Sequence, residues 1–239
     1  VEECLPLASL LEEASSFPSK LEEMFLLQKQ LNDSTNGKNW ELGLNKFNKE
    51  INWLRCIHME VAELIDSTPW KHWKNINSAP DMNNIHVELV DIWHFLMSYI
   101  LQETNVPKAV SLVNTHCIYE AAQNIDVNLI IKESEKLSYI ALAIETKNMP
   151  SFSGIERFIE QFFRACKSAG LSFSWLQKLY IGKNCLNQFR QDNGYKEGTY
   201  KKVWNGSEDN VVMVELLKTI EDVSFDELYE QLKLKYNQN

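Results

Sequence analysis

Arg55-Cys56-Ile57-His58-Met59-Glu60-Val61-Ala62-Glu63-Leu64-Ile65-Asp66 and, after a break containing Pro69 and Pro80, Glu88-Leu89-Val90-Asp91-Ile92-Trp93-His94-Phe95 decide how this chain is read. Each stretch is apolar at helical spacing and carries two carboxylates three residues apart. Residues three apart lie about 60° apart around a helix of about 3.6 residues per turn. Glu60 and Glu63 therefore share one face, Glu88 and Asp91 another, and two such helices packed side by side bring four acids together. Leu54, Ile57, Val61 and Leu64 flank the first pair, and Val87, Leu89, Val90, Ile92 and Trp93 flank the second. Both helices are expected to be largely buried.

An isolated ionised carboxylate in apolar surroundings costs on the order of tens of kcal/mol, so it takes a proton, a cationic partner or a metal. Four acids with only Arg55 and His94 close in sequence favour a metal. All-oxygen ligands suit Mg²⁺, with Mn²⁺ as the other candidate, over Zn²⁺ or a redox iron. A di-iron bundle is disfavoured, because only Asp91 and His94 offer its carboxylate-to-histidine pair at three residues. Acid pairs at this spacing also occur on solvated faces, and Glu156 with Glu160 reads as one. Two pairs set in apolar stretches weaken that alternative.

Outward from this centre, Ser19 with Glu22 reads as a capping box that opens a helix running to the Thr35-Asn36-Gly37 turn, with residues 1–18 as a separate arm or short helix. Gln28 and Asn32 share a face near the end of that helix, where amides can serve a base edge or simply finish the helix. Trp70, His72 and Trp73 follow Pro69 in a short basic segment, either as an aromatic plug or as neighbours of a ligand. Asn83 or Asn84 is placed to cap the second acidic helix. Residues 106–150 read as helical scaffold. Ser153 with Glu156 predicts another helix start, Ser174 a further one ending at Gly194, and Ser207 and Ser224 two more. No alternating strand is expected.

Residues 182–210 hold four of the eight glycines and five cations, on a chain whose net charge is −9. Lys183, Asn187 and Arg190 share one helix face, and a glycine-rich loop beyond them can bring Tyr195 and Lys202 down onto a polyphosphate. The plainer alternative is a solvated basic loop.

The two acidic stretches, Trp70-Lys71-His72-Trp73-Lys74, Leu27-Gln28 to Asn32-Asp33, and the run Tyr180 to Gly194-Tyr195, Lys201-Lys202, Trp204-Asn205-Gly206 and Glu208-Asp209-Asn210 together resemble the dimeric dUTPases of the all-α NTP pyrophosphatase superfamily, in the bacterial and phage branch. The likeness covers residues 20–105 and 175–230 well. It implies Mg²⁺-dependent hydrolysis of dUTP, and of dUDP, to dUMP by a homodimer. Glu60, Glu63, Glu88 and Asp91 then hold two or three ions, with Glu60 or Glu63 as general base. Gln28, Asn32, Trp70, His72, His94 and Phe95 surround uracil and deoxyribose, and Lys183, Asn187, Arg190, Tyr195, Lys202 and Asn210 contact phosphate or nucleotide.

Composition agrees. With 44% apolar residues and no run near the ~20 of a membrane span, the chain reads as globular and without a membrane partner. Its acidity argues against nucleic-acid binding. Five cysteines without paired zinc spacing, and a start without a basic secretory region, suit a reducing cytoplasm. The expected fold is an all-α bundle, one domain over residues 19–239, in which the two acidic helices face each other. The nearest alternative is a MazG-type pyrophosphatase of broader base range. A non-enzymatic helical dimerisation module is the alternative of another class.

Overall fold

The computed structural model describes residues 7–74, 77–117, 119–220 and 224–238. Among them run nine α-helices: α1 Leu7–Asn36, α2 Trp53–Asp66, α3 Met82–Glu103, α4 Val106–Asn114, α5 Val127–Glu145, α6 Ser151–Ser168, α7 Phe173–Asp192, α8 Asp209–Thr219 and α9 Phe225–Asn237. A 3₁₀ turn spans Trp40–Leu42. The fold is the expected all-α bundle.

α3 is apolar on nearly every side, and that makes it the central helix. Ile85, Leu89, Val90, Ile92, Trp93, Leu96, Met97 and Ile100 are fully buried. Each such side chain contributes about 1.5–3 kcal/mol on burial. α1, α2, α6 and α7 pack around it, α5 backs α2 and α6, and α8 and α9 cover α7. Trp93 stacks on Phe162 at 5.0 Å between centroids and meets Phe25 edge-on at 6.1 Å. No helix among the described residues is long and apolar enough to cross a membrane.

Several helix starts differ from the sequence reading. α1 passes through Pro18 instead of beginning at Ser19. Phe17, Leu21, Met24 and Phe25 form one buried stripe across the proline, and Phe17 packs edge-on against Phe173 at 4.6 Å. Leu21, Met24 and Phe25 are buried from either start, so it is Phe17, at about 1.5–3 kcal/mol, that offsets most of the roughly 3 kcal/mol an interior proline costs. Asp81, not Asn83 or Asn84, caps α3, its carboxylate accepting from the Asn84 N–H at 3.0 Å. An anionic cap also complements the positive end of the helix dipole. α7 opens two residues earlier than expected, where Ser172 rather than Ser174 is the cap and accepts from the Trp175 N–H. α6 begins at Ser151 after Pro150, and Ser224 precedes α9 without a capping bond.

One expectation about strands fails. Val203–Trp204 (β1) pairs antiparallel with Ser207–Glu208 (β2), so Ser207 lies in a hairpin and α8 starts at Asp209. The turn is Asn205-Gly206, with φ of 49° and 87°. Both residues at positive φ make the primed turn that suits the twist of a two-residue hairpin, and Asn-Gly is its strongest sequence signal.

Candidate active site

α2 and α3 run antiparallel. Trp53 at the start of α2 stacks on Phe95 at 6.1 Å, and the Asn84 amide near the start of α3 donates to Ser67 Oγ at 2.7 Å just past the end of α2. Midway between these contacts, Glu60, Glu88 and Asp91 each place a carboxylate oxygen within 4.8 Å of the others. Glu63 is exposed and is not one of these three, although its charge acts on both Glu60 and Glu88. Glu60 lies on the buried stripe with Ile57 and Leu64, whereas Met59, Asp66 and Ser67, three or four residues from Glu63, are exposed or half-buried.

Arg55 is exposed and does not neutralise the acids. Lys183 of α7 does, its Nζ 2.8 Å from Asp91 Oδ2 and its side chain only 4% exposed. Burial, then repulsion from Asp91, pushes the Glu60 carboxyl up to about 8 and Glu88 up to about 7. The two carboxyls share a hydrogen bond, so one of the pair holds a proton. The residues fit a hard divalent cation: all donors are oxygen, they converge, and without metal they hold a proton where a cation would neutralise them.

This has a consequence for stability. A glutamate whose folded pKa lies above its unfolded value binds more protons when folded, so stability falls as pH rises between the two. The metal-free protein is expected to lose melting temperature steadily from about pH 5 to pH 8, with Mg²⁺ restoring it most at the alkaline end. Thermal scans in EDTA and in Mg²⁺ across that range check it; a metal-free curve that stays flat or rises would refute the assignment.

One turn beyond Asp91 opens a cavity of 290 Å³ lined by Gln28, Asn32 and Asn36 of α1, Trp53, Asp91, His94, Phe95, and Asn187 and Gln191 of α7. Four residues expected around the base, Gln28, Asn32, His94 and Phe95, are thus brought together. Trp70 and His72 are not. They sit on the connection after α2, beyond the opposite end of the triad, where Trp70 Nε1 donates to Asp66 at 3.1 Å. Trp73 is 64% exposed and meets Trp70 and His72 edge-on, so it plugs nothing.

Of the expected phosphate residues, Lys183, Asn187, Arg190 and Asn210 converge. Asn210 Oδ1 accepts from Lys183 Nζ at 3.2 Å and from Arg190 Nη2 at 3.4 Å. Arg190 forms a two-pronged pair with the fully buried Asp209, both contacts at 2.8 Å. Tyr195 is 49% exposed, its ring centre 5.9 Å from the Arg190 guanidinium. Lys202 is exposed and points to Glu208 at 3.8 Å.

A family model described as dUTPase matches residues 20–195. The chain belongs to the dimeric, all-α dUTPase family. The triad, the pocket and Lys183, Asn187 and Arg190 all lie inside the matched span; Lys202, Asp209 and Asn210 lie beyond it. None of the curated proteins compared matches the chain. As a dUTPase it hydrolyses dUTP, and it is a dUTP diphosphatase.

Four residues of this dUTPase escaped the sequence reading. Ser98 hydrogen-bonds both Gln28 and Asn32 at 2.9 Å. Continuing the Asp91, His94, Phe95 stripe by three or four residues reaches it. Trp53 is seven residues before Glu60, two turns along the same face. Asn84, taken for a cap, donates to Glu88 Oε1 at 3.0 Å. Asp209 stood in the run that carries the resemblance but was given no role, because its partner Arg190 lies 19 residues away.

Proposed function

We propose that this dUTPase hydrolyses dUTP, and dUDP, to dUMP with Mg²⁺, releasing pyrophosphate or phosphate, as a cytoplasmic homodimer. The observation that carries the reading is that Asp91 belongs both to the acid triad and to the wall of the pocket. A base held in the pocket has its phosphates at the triad. Held there by Glu60, Glu88 and Asp91, Mg²⁺ would supply charge neutralisation for the phosphates and a lowered pKa for water.

The chain's own residues do the rest. Glu60, Glu88 and Asp91 hold the cation, two or three ions with help from Glu63. Glu60 and Glu63 are the candidate general bases. Lys183, Asn187, Arg190 and Asn210 orient the phosphates, with Tyr195 and Lys202 closing from the rim. Trp53 and Phe95 supply flat walls for the base. Asn32 gives one Nδ2–H to Ser98, which leaves its second Nδ2–H for a carbonyl of the base. Trp70 and His72 lie outside this pocket. The dimer rests on the family resemblance, and light scattering tests it.

The deciding experiment is pyrophosphate release with Mg²⁺ from dUTP, dCTP, dTTP, UTP and dATP. Hydrolysis confined to dUTP is expected; comparable rates on several bases would favour the broader MazG-type activity. In the same assay Asn32→Ala is expected to lower the dUTP/dCTP preference about 10- to 100-fold, the effect of one buried mismatch. Its Mg²⁺-induced rise in melting temperature should match wild type. An unchanged preference would remove Asn32 from base recognition.

A further inference from the structure

We infer that Gln28 does not read the base but positions His94, fixing it as the Nδ1–H tautomer so that its Nε2 lone pair is the acceptor for a pyrimidine N3–H. The inference rests on reading the pocket as the base site. Gln28 is 3% exposed and has both ends of its amide engaged. Its Nε2 donates to Ser98 Oγ at 2.9 Å, and its Oε1 lies 2.7 Å from His94 Nδ1 and 3.1 Å from the Tyr180 hydroxyl. A residue so occupied has little left to offer a ligand.

Proton counting at Ser98 sets the direction of the chain. The Ser98 hydroxyl has one hydrogen, which goes to the His94 carbonyl at 2.8 Å. Its two lone pairs then accept from Gln28 and from Asn32. The Gln28 group facing Ser98 must therefore be the NH₂, which turns the oxygen toward His94. An oxygen there requires a hydrogen on Nδ1. Burial holds the imidazole well below its usual range, at about 4, so the ring is neutral and Nε2 carries a lone pair. Among the described residues that Nε2 is buried and has no hydrogen-bond partner, although His94 is 5% exposed and lines the pocket.

An unpaired buried acceptor favours a ligand that brings a donor. Uracil has N–H at position 3; cytosine has a lone pair there, which would face the Nε2 lone pair. Base choice between these two then turns on which His94 nitrogen carries the proton, a choice made behind the ring by Gln28, Ser98 and Tyr180. The Tyr180 ring lies 4.4 Å from the imidazole and its hydroxyl also reaches the Met24 carbonyl at 3.0 Å, tying this support to α1.

The test uses the full chain with ¹⁵N-labelled histidine, read by long-range ¹H–¹⁵N correlation with and without dUMP, alongside dUTP and dCTP kinetics. Wild type is expected to show His94 protonated at Nδ1 only, with the Nε2 resonance moving on addition of dUMP. Gln28→Ala should mix the tautomers and lower the dUTP/dCTP preference about 10- to 100-fold. Gln28→Glu, which keeps an acceptor facing Nδ1, should restore the Nδ1–H. Should Gln28→Ala fail to fold, Ser98→Ala, which frees the Gln28 amide to turn over, should mix the tautomers likewise. Loss of preference with the tautomer unchanged would make Gln28 a direct reader and overturn the inference, as would a changed tautomer with the preference intact. A wild type that binds dUMP with Nε2 protonated sinks this inference alone; one that does not bind dUMP sinks the base-site reading as well.

Discussion

Glu60→Gln is expected to lower dUTP hydrolysis by on the order of a thousandfold, about 4 kcal/mol of transition-state stabilisation, while raising the melting temperature of the metal-free protein above pH 7. The two effects have one cause. Glu60 is held with Glu88 and Asp91 within 4.8 Å in a half-buried site, and burial and repulsion push its carboxyl up to about 8. In the empty protein that charge is unfavourable, and glutamine keeps the shape and the hydrogen bond to Glu88 without it. In the loaded enzyme the same charge would help hold the cation that neutralises the phosphates. Activity and metal-free stability should therefore move in opposite directions. Pyrophosphate release with saturating dUTP, with melting curves in EDTA, checks both. A variant that lost activity and stability together would mark Glu60 as a packing residue.

Asp209→Ala is expected to destabilise the fold by about 3–5 kcal/mol, the cost of leaving one partner of a buried ion pair alone. Asp209 is fully buried, accepts both prongs of Arg190 at 2.8 Å and also accepts from the Tyr200 hydroxyl at 2.8 Å. Its own backbone N–H donates to the Lys202 carbonyl at 2.9 Å, joining α8 to the loop that follows α7. Alanine strands the guanidinium and the hydroxyl in a site that holds little water. The double variant Asp209→Ala/Arg190→Met should recover part of the loss, because no charge is left unpaired. Urea unfolding of the two variants measures this. Equal stability of single and double variants would show that the pair contributes through Asp209 alone. Since Arg190 also reaches Asn210 and flanks Tyr195, a weakened pair is expected to loosen the phosphate end of the site before the base end.

How much of the site was legible in the sequence follows from the range of each interaction. Residues on one helix announce themselves by spacing: Glu88 with Asp91 and His94 with Phe95 are all one turn apart or closer, and the apolar residues around them forecast their burial. Lys183, Asn187 and Arg190 share a face for the same reason, and three of the expected phosphate residues came from that spacing. Local signals were weaker where tertiary packing competed with them. The capping box at Ser19 lost to a buried stripe that crosses Pro18, and Ser207 lost to the Asn205-Gly206 turn, whose positive φ values a hairpin requires.

The amino-acid sequence by itself determined that this is an all-α protein with two acidic helices, because helical periodicity and carboxylate spacing are properties of a single element. Tertiary structure alone decided which acids meet and what neutralises them. Glu63 stands farther out than Glu60 because the stripe formed by Ile57, Val61 and Leu64 sets the rotation of α2 against its neighbours, and Lys183 enters because α7 crosses α3 beside Asp91. It also decided that Gln28 supports His94 through Ser98 instead of facing the pocket with free hydrogen-bonding groups. Those partners lie 66 to 92 residues apart along the chain, where no spacing rule connects them and only the packing of one helix on another does.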